Sequence, residues 1–342
     1  MSIRVLMMTS WNVACGVAEM SKRLLDGLAI VDPAIEILPA ADPSNGHLPL
    51  SPDATLARDD YDILHLQHHD ALHAAWQPDH LREAQRQGKK VVVTFHDTFM
   101  GTPAQMNSAK CHALHDVADA FIVHEPVQDL PKAIHWRHGV PPIERPIMLW
   151  DYDRRRCPIV GSAGFDFPFK NFDLLCEAAA IAGWRVLLIG PNFTPERIAQ
   201  WQRWQPQGYF PGVNLQDFGP LPSQAAVVAC LSACDATAFL YNNANTGVSG
   251  AVRFGIAARK PCLLMDSCRQ FNDVMFDPGL RECFYWTRYE TQQIAEDLSR
   301  LPSVRFDHGL CRLAERDSYL NVGRKYAGLY RELVTYPSVT GV

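Results

Sequence analysis

The sequence of 342 residues contains no long apolar run and no excess of positive charge. No stretch approaches the roughly 20 apolar residues that a membrane-spanning helix needs. The first residues, MSIRVLMMTSW, also lack the charged start and long apolar core of a secretion signal. The 32 basic residues are outnumbered by 37 acidic ones, which gives a formal net charge of −5. We therefore expect a cytoplasmic protein without a basic surface for nucleic acid or anionic membranes.

Cysteine pairs of the Cys-x-x-Cys type are also absent, although the chain contains ten cysteines. The cysteines are scattered and mostly lie inside apolar segments, so they fit buried reduced thiols rather than a disulfide framework or a zinc cage. The sequence contains no repeats and no low-complexity segments. With 47% hydrophobic and 20% charged residues, its length suits about two globular domains.

Short buried strands separated by helices are predicted for the first half of the chain. A strand, a glycine turn and a helix with an apolar stripe follow one another at the start, and a second helical pattern spans about residues 78–88. This alternation predicts a parallel α/β sheet. The predicted strands are 3–9, 61–69, 89–97 and 118–125.

The same pattern restarts after residues 139–158, a segment rich in proline and charge that we interpret as a domain boundary. An amphipathic helix is predicted at 317–334. We therefore expect an N-terminal domain (1–148), a C-terminal domain (149–315) and a terminal helix (316–342) that crosses back to the N-terminal domain. The other elements predicted for the second half are strands at 158–163, 184–190, 235–241 and 262–265 and helices at 172–182 and 221–234.

The stretch NNANTGVSGAVRFGIAARKP, residues 242–261, predicts a turn followed by a helix. The turn, Asn245–Thr246–Gly247, can leave amide groups free at the start of a helix whose apolar stripe begins at Val248. Ser249 and Arg253 share another face of that helix. The amides of 247–250, which include Gly250, and the Arg253 guanidinium suit an anion such as phosphate. A packing helix with one solvated arginine is the alternative.

Polar residues follow the predicted strands of the first half, where open parallel sheets bind ligands. His68, His69 and His96 lie there, and His96 with Asp97 beside it suits a sugar hydroxyl. The alternative is a strand-end histidine bonded to backbone. We expect no metal site, because the histidine spacing is not that of a helical His-x-x-x-His pair and ligands would have to come from separate strands.

Three further residues stand beside predicted helix starts. Gly16 lies in the first strand-to-helix turn, which suits either a phosphate or a plain tight turn. Glu19, in the first turn of the following helix, suits either contact with a second substrate or simple pairing with the helix dipole. Lys170, after the first strand of the second half, is either a point charge for phosphate or a surface lysine.

Eight segments in order resemble the GT-B fold glycosyltransferases of the large retaining family four. The resemblance covers nearly the whole chain and implies an α/β protein of two Rossmann-like, doubly wound lobes with an inter-domain cleft. The segments are RVLMMTSWNVACGVAEMSKRLLDGL, YDILHLQHH, VVVTFHDT, ADAFIVHE, RHGVPP, VGSAGFDFPFKNFDLLCEAA, VLLIGP and SGAVRFGIAARKP.

This resemblance implies a retaining transfer of a sugar from a nucleotide-diphospho-sugar, bound mainly by the second domain. The acceptor is a glycan, a glycolipid or another hydroxyl-bearing molecule, held mainly by the first domain. No metal or other cofactor is implied. In such enzymes the positions of Gly16 and Lys170 approach the donor diphosphate, and the position of His96 faces the donor sugar. Glu19, His68 and His69 are then candidates for the acceptor side.

The sequence departs from the family pattern at three positions. Gly164 stands where the family usually has an arginine six residues before the lysine. Thr246 and Phe254 stand where it usually has two glutamates, eight residues apart. The donor contacts are therefore partly rewritten, and we infer that Arg253 supplies the missing positive charge, because a leaving diphosphate needs charge neutralisation.

The mechanism that fits these residues is internal return, in which a phosphate oxygen of the donor takes the acceptor proton, since no convincing carboxylate pair for double displacement is present. Lys170, Arg253 and the amides of 247–250 would stabilise the leaving group, and His96 would orient the sugar. Three other hypotheses stay open: a nucleotide-sugar epimerase on the same fold, a non-catalytic nucleotide-sugar-binding partner of another transferase, and a transferase acting on DNA. The acidic charge balance gives the last little support.

Overall fold

The computed structural model of the protein describes residues 2–11, 13, 15–42, 48–96, 106–125, 130, 132–145, 158–190, 193–203, 213–214, 223–242, 248–302 and 307–335. The chain forms two compact units. The first consists mainly of Met1–Gly139 and Tyr319–Val342, and the second mainly of Val140–Ala244 and Ser249–Ser318. Within the described ranges, no helix combines the length and the apolar composition needed to cross a membrane.

The first unit contains a six-stranded parallel sheet with strand order β2-β1-β5-β6-β7-β8. Its four central strands are almost continuously buried, as expected where a parallel sheet is covered on both faces. Among the described residues, two further short strands, β3 and β4, pair with each other and with no other strand. The strands are β1 (Ile3–Met8), β2 (Ile35–Pro39), β3 (Ala41–Asp42), β4 (Leu48–Pro49), β5 (Ile63–His68), β6 (Lys90–Phe95), β7 (Ala120–Val123) and β8 (Ile134–His135).

Helices cover both faces of this sheet. One face carries a core that includes Leu64, Trp76 and Phe121, and the other carries a core that includes Val5 and Leu28. The helices of this part of the chain are α1 (Gly16–Val31), α2 (Pro52–Leu56), α3 (Asp70–His73), α4 (Pro78–Arg86) and α5 (Met106–His115).

The second unit has its own six-stranded parallel sheet, with strand order β11-β10-β9-β12-β13-β14. Counted from β9, this is the order 3-2-1-4-5-6 of a doubly wound fold, whose order reverses between β9 and β12. Ligands of such folds bind beyond the carboxyl ends of the two strands at the reversal. The strands are β9 (Ile159–Ala163), β10 (Arg185–Gly190), β11 (Val213–Asn214), β12 (Ala236–Phe239), β13 (Cys262–Met265) and β14 (Tyr285–Thr287).

The helices of the second unit share one continuous core with its sheet, which includes Phe172, Trp201, Leu231, Ile256 and Leu298. They are α6 (Phe172–Ala182), α7 (Pro195–Gln202), α8 (Gln224–Ser232), α9 (Val252–Ala258), α10 (Asn272–Met275), α11 (Pro278–Arg281), α12 (Thr291–Arg300) and α13 (His308–Arg316).

The last helix, α14 (Tyr319–Thr335), packs on α1 within the first unit. The backbones of the two helices are in close contact at Gly27, where an added Cβ atom would lie 2.5 Å from the Tyr319 carbonyl oxygen. A Cβ atom added at Gly323 would lie 2.9 Å from the Gly27 carbonyl carbon. Tyr326 and Tyr330 of α14 are buried in the core on the same face of the sheet as α1.

Helix α9 begins later than the sequence predicts. The expected apolar stripe starts at Val248, but the helix starts at Val252. Ser249 lies before the helix, and its amide donates to the Gln270 carbonyl oxygen at 2.9 Å. Helix α6 has the predicted bounds, whereas β2, α5 and β14 lie outside the predicted elements.

Candidate functional site

Lys170 lies at the strand-order reversal of the second unit, on the segment that follows β9. A short 3-10 turn, Pro168–Lys170, ends there, and the Lys170 side chain turns inward so that only 8% of the residue is exposed. Its Nζ donates to the hydroxyl oxygen of Tyr241 at 3.0 Å and lies 4.1 Å from the centre of the Tyr241 ring. Tyr241 follows β12, the other strand at the reversal.

Two glycines make room for this lysine. Gly164 has φ +140°, which favours glycine, and a Cβ atom there would lie 2.8 Å from Lys170 Nζ. A Cβ atom at Gly190 would lie 2.0 Å from the Gly164 carbonyl oxygen. Glycine therefore suits position 164 in this structure, because its φ value favours glycine and a Cβ atom there would crowd the Lys170 side chain.

The buried position changes the protonation of Lys170. Burial lowers its pKa to about 7, and a smaller interaction with Cys268 acts in the opposite direction. Within the described part of the chain, Lys170 forms no ion pair with a carboxylate. A buried ammonium without a counter-charge is costly, so an anion bound beside Nζ would stabilise the charged form of Lys170.

Ser249 joins Lys170 through Tyr241. The Tyr241 hydroxyl donates to the Ala163 carbonyl oxygen at 3.3 Å, and Ser249 forms a hydrogen bond with the same hydroxyl. Ser249 is itself buried. Two residues predicted for the donor site are thus linked by a tyrosine for which the sequence suggested only a strand end. Its position directly after an apolar strand was the available signal.

Arg253 lies elsewhere than the sequence predicts. It is not one turn into the helix on a polar face but in the first turn of α9, fully buried, where its guanidinium forms an ion pair with Asp273. The pair is neutral overall, so Arg253 brings less net charge than we inferred. Its Nε and Nη1 atoms have no hydrogen-bond partner among the described residues. Asp273 is a component that the sequence did not indicate.

The remaining donor-side residues fall into three groups. Asn245, Thr246 and Gly247 lie outside the described residues. Gly250 precedes α9, and its carbonyl oxygen accepts from the Arg253 amide at 3.2 Å. Phe254, at a usual glutamate position, packs against the hydrophobic core of the second unit.

In the first unit, His96 follows β6 and is nearly buried. Its Nε2 donates to the Gln67 side-chain oxygen at 2.7 Å, and its amide donates to the His68 carbonyl oxygen at 2.9 Å. Burial, with smaller contributions from His124 and other histidines, holds the pKa of His96 well below the usual value. His96 is therefore a neutral imidazole, as expected for a sugar contact, while Asp97 lies outside the described residues.

A buried hydrogen-bond network supports Gln67. Its side-chain nitrogen lies 3.2 Å from His65 Nε2, which also contacts the Thr94 hydroxyl at 2.8 Å. His65 Nδ1 reaches the Tyr330 hydroxyl of α14 at 2.6 Å, and Thr94 reaches the Tyr326 hydroxyl at 3.0 Å. The last helix thus helps to orient Gln67 and, through it, His96.

His124 and His138 lie beside His96, a grouping that the sequence did not suggest. The ring centres of His96 and His124 are 4.9 Å apart, and those of His124 and His138 are 3.6 Å apart. They line a cavity of about 30 Å³ together with Gln67 and Arg137. The sequence placed His124 near the end of the strand predicted at 118–125, but it predicted no strand before His138.

The other predicted residues of the first unit lie in different surroundings. His68 is fully buried, with its ring stacked on Phe95 at 4.9 Å, which argues against an acceptor contact. His69 caps α3 by accepting from the Ala71 amide at 3.2 Å, so its Nδ1 has a structural partner. Glu19 is half-buried in the first turn of α1, and Gly16 begins that helix, with no atom within 4 Å of an added Cβ.

No family model matches the sequence, and no curated protein matches it either. Solved structures do match over nearly the whole chain. HepE from Anabaena, in complex with UDP and glucose, has a TM-score of 0.64 at 12% identity and covers 97% of this chain and 100% of its own. AviGT4, a glycosyltransferase involved in avilamycin A biosynthesis, has a TM-score of 0.55 at 14% identity and covers 98% of each chain.

An α-glucosyltransferase in complex with UDP and a 13-mer DNA containing an HMU base is similar as well. Its TM-score is 0.53 at 12% identity, with 96% of this chain and 99% of its own covered. At these identities the likeness concerns the fold. This chain therefore has the α/β fold of the GT-B glycosyltransferases, as the eight sequence segments indicated.

Proposed function

We propose that this protein transfers a sugar from a nucleotide-diphospho-sugar, with UDP as the nucleotide, to a hydroxyl group with retention of configuration. The observation that carries this proposal is Lys170, a buried lysine with a lowered pKa at the strand-order reversal of a GT-B fold. A diphosphate bound there would supply the counter-charge that Lys170 lacks among the described carboxylates. The UDP complexes of HepE and of the α-glucosyltransferase support the choice of nucleotide.

In the proposed reaction, the bond between the sugar C1 and the diphosphate oxygen breaks, and a bond from C1 to the acceptor oxygen forms on the same face. A phosphate oxygen of the leaving group takes the acceptor proton. Lys170 stabilises the negative charge that develops on the diphosphate, and Tyr241 with Ser249 holds Lys170 in place. No protein nucleophile takes part.

Arg253 has a reduced part in this proposal. Asp273 neutralises its charge, so its contribution is hydrogen bonding through Nε and Nη1 rather than net charge. His96, a neutral imidazole held by Gln67, is proposed to contact a sugar hydroxyl. The roles of Gly16, Glu19 and the 245–247 turn stay predictions.

We also propose that the diphosphate needs no divalent ion. Lys170 already supplies a cation where the charge develops, and the described groups around it include no carboxylate pair that would hold magnesium or manganese beside the phosphates.

The first test is thermal unfolding with a panel of nucleotide sugars, because a ligand that binds only the folded state raises the melting temperature. We expect a UDP-sugar to raise it in the parent and to lose this effect in Lys170→Met. The matched control is Lys260→Met. Lys260 is equally buried, at 8% exposed, but it precedes β13 and so lies at the amino ends of the strands of the same sheet, whereas Lys170 lies at their carboxyl ends. Equal shifts in all three proteins would refute the assignment of Lys170.

Retention can be tested without knowing the acceptor. Slow transfer of the donor sugar to water releases the free sugar, and NMR identifies the anomer that appears first. We expect the anomer of the donor, whereas the opposite anomer would contradict retention. Donor rearrangement without a glycosylated product would favour the epimerase, and binding without turnover would favour the non-catalytic partner.

A further inference from the structure

Three histidines from three different segments of the first unit converge on one point. His96 follows β6, His124 follows β7 and His138 follows β8, and all three are at least nine-tenths buried. One ring nitrogen from each lies within 4.8 Å of the nitrogens from the other two. Among the described residues this is the group of histidine, cysteine or carboxylate side chains that comes close enough to share an ion.

The hydrogen bonds of two of these rings orient their lone pairs. His124 donates through Nδ1 to the Trp136 carbonyl oxygen at 2.7 Å, so the Nε2 atom of the neutral ring carries the lone pair. His96 donates through Nε2 to the Gln67 side-chain oxygen at 2.7 Å, so its Nδ1 carries the lone pair. Metal-binding histidines commonly make this arrangement, in which one ring nitrogen donates to a carbonyl and the other binds the ion.

We propose that His96, His124 and His138 bind a divalent transition-metal ion of the zinc class. This inference goes beyond the proposed function, which places no ion at the diphosphate. With Nδ1 bound to an ion, His96 would no longer contact a sugar hydroxyl directly, so this role replaces the direct contact proposed above. Three imidazoles each offer one ring nitrogen to such an ion, and they leave a fourth coordination position for an oxygen ligand. The cavity of about 30 Å³ that the three rings line has room for one water-sized ligand at that position.

The geometry requires a small contraction of the group. In a tetrahedral zinc site with Zn–N bonds of about 2.0–2.1 Å, the nitrogens are about 3.4 Å apart. The three ring nitrogens lie within 4.8 Å of one another, so no pair must approach by more than about 1.4 Å. The ligand type decides the class of ion. The described residues that line the cavity include no carboxylate, which disfavours magnesium and calcium, whereas imidazole suits zinc, copper and nickel.

The charges around the cavity bear on the fourth ligand. Arg23 and Arg137 line the same cavity as the histidines. Their positive charges oppose a divalent ion, so an anionic oxygen at the open position is favoured because it offsets that repulsion.

The experiment is zinc binding by the complete, tag-free chain after removal of bound metal by a chelator. Zinc per chain is measured after equilibrium dialysis, and the affinity is measured by competition with a zinc-binding dye. The parent is compared with His124→Ala and His138→Ala. The matched control is His112→Ala, since His112 is exposed on α5. Gln67→Leu, which removes the partner of His96 without removing a ligand, is the milder variant.

We expect one zinc ion per chain in the parent and in His112→Ala. The affinity should fall about 10- to 100-fold in Gln67→Leu, and further when a ligand is removed. Zinc should raise the melting temperature of the parent but not of His138→Ala. Visible absorption of the cobalt-substituted parent should show tetrahedral nitrogen coordination.

Two outcomes would overturn the proposal: a parent that binds zinc no better than His138→Ala, or zinc retained in full by both ligand variants, which would place the ion on cysteines. UDP binding is measured on the same samples and reports both folding and the separate donor site. A failure of zinc binding with UDP binding intact therefore refutes the metal site alone.

Discussion

Lys170 makes the affinity for UDP depend on pH. In the free protein its pKa is about 7, because burial disfavours the ammonium form. A bound diphosphate favours that form, so nucleotide binding must raise the pKa and take up a proton. At a pH well above 7, most molecules must be protonated before they can bind, and the apparent affinity falls.

The magnitude follows from the pKa. With a free-protein pKa of about 7, the dissociation constant for UDP should rise about 15-fold between pH 7 and pH 8.5, which is roughly 1.6 kcal/mol. Calorimetry in buffers of different ionisation enthalpy should show nearly one proton taken up per UDP at pH 8.5 and about half a proton at pH 7. Lys170→Met should bind weakly and with no such dependence, and Lys260→Met should behave as the parent does.

Stability of the free protein should change with pH in the same window. The folded pKa of Lys170 is below its ordinary value of 10.5, so the unfolded chain binds more protons between about pH 7 and 10.5. The free energy of unfolding should therefore rise through that range, and the cost of the buried charge is present in full below pH 7. The shift corresponds to no more than about 5 kcal/mol. Lys170→Met should be more stable than the parent at pH 7.

If the affinity of the parent for UDP does not change between pH 7 and pH 8.5, the argument that Lys170 must be protonated to bind UDP is wrong.

Three further predictions concern other parts of the molecule. Asp273→Asn should lower the free energy of unfolding by about 3–5 kcal/mol in urea titrations, because it leaves Arg253 charged and buried; an unchanged midpoint would mean that the pair does not form. UDP affinity measured with excess EDTA should equal that measured with magnesium, and a large gain with magnesium would show that an ion bridges the phosphates. Gly27→Ala should lower the free energy of unfolding by about 1–3 kcal/mol by pushing α14 away from α1, whereas Gly328→Ala, with no atom near its Cβ, should not.

Local pattern in the sequence was sufficient for the repeated strand-and-helix units and for the α/β class. Apolar runs of four to eight residues predict parallel strands because both faces of such strands are covered, and β7, β10 and β13 all have this character. The position of Lys170 after an apolar strand likewise followed from the rule that open sheets bind ligands at strand carboxyl ends. These inferences use only residues that lie close together in the sequence.

The tertiary structure alone decided which side chains meet and which are charged. Tyr241 reaches Lys170 across 71 residues, and Asp273 pairs with Arg253 across 20, because parallel strands bring distant loops to one edge of a sheet. The sequence alone does not indicate how many residues lie between the two partners of such a pair. His96, His124 and His138 converge for the same reason, and the sequence did not suggest this grouping. Burial lowers the pKa of Lys170, and burial depends on how the whole chain packs rather than on the residues next to Lys170 in the sequence.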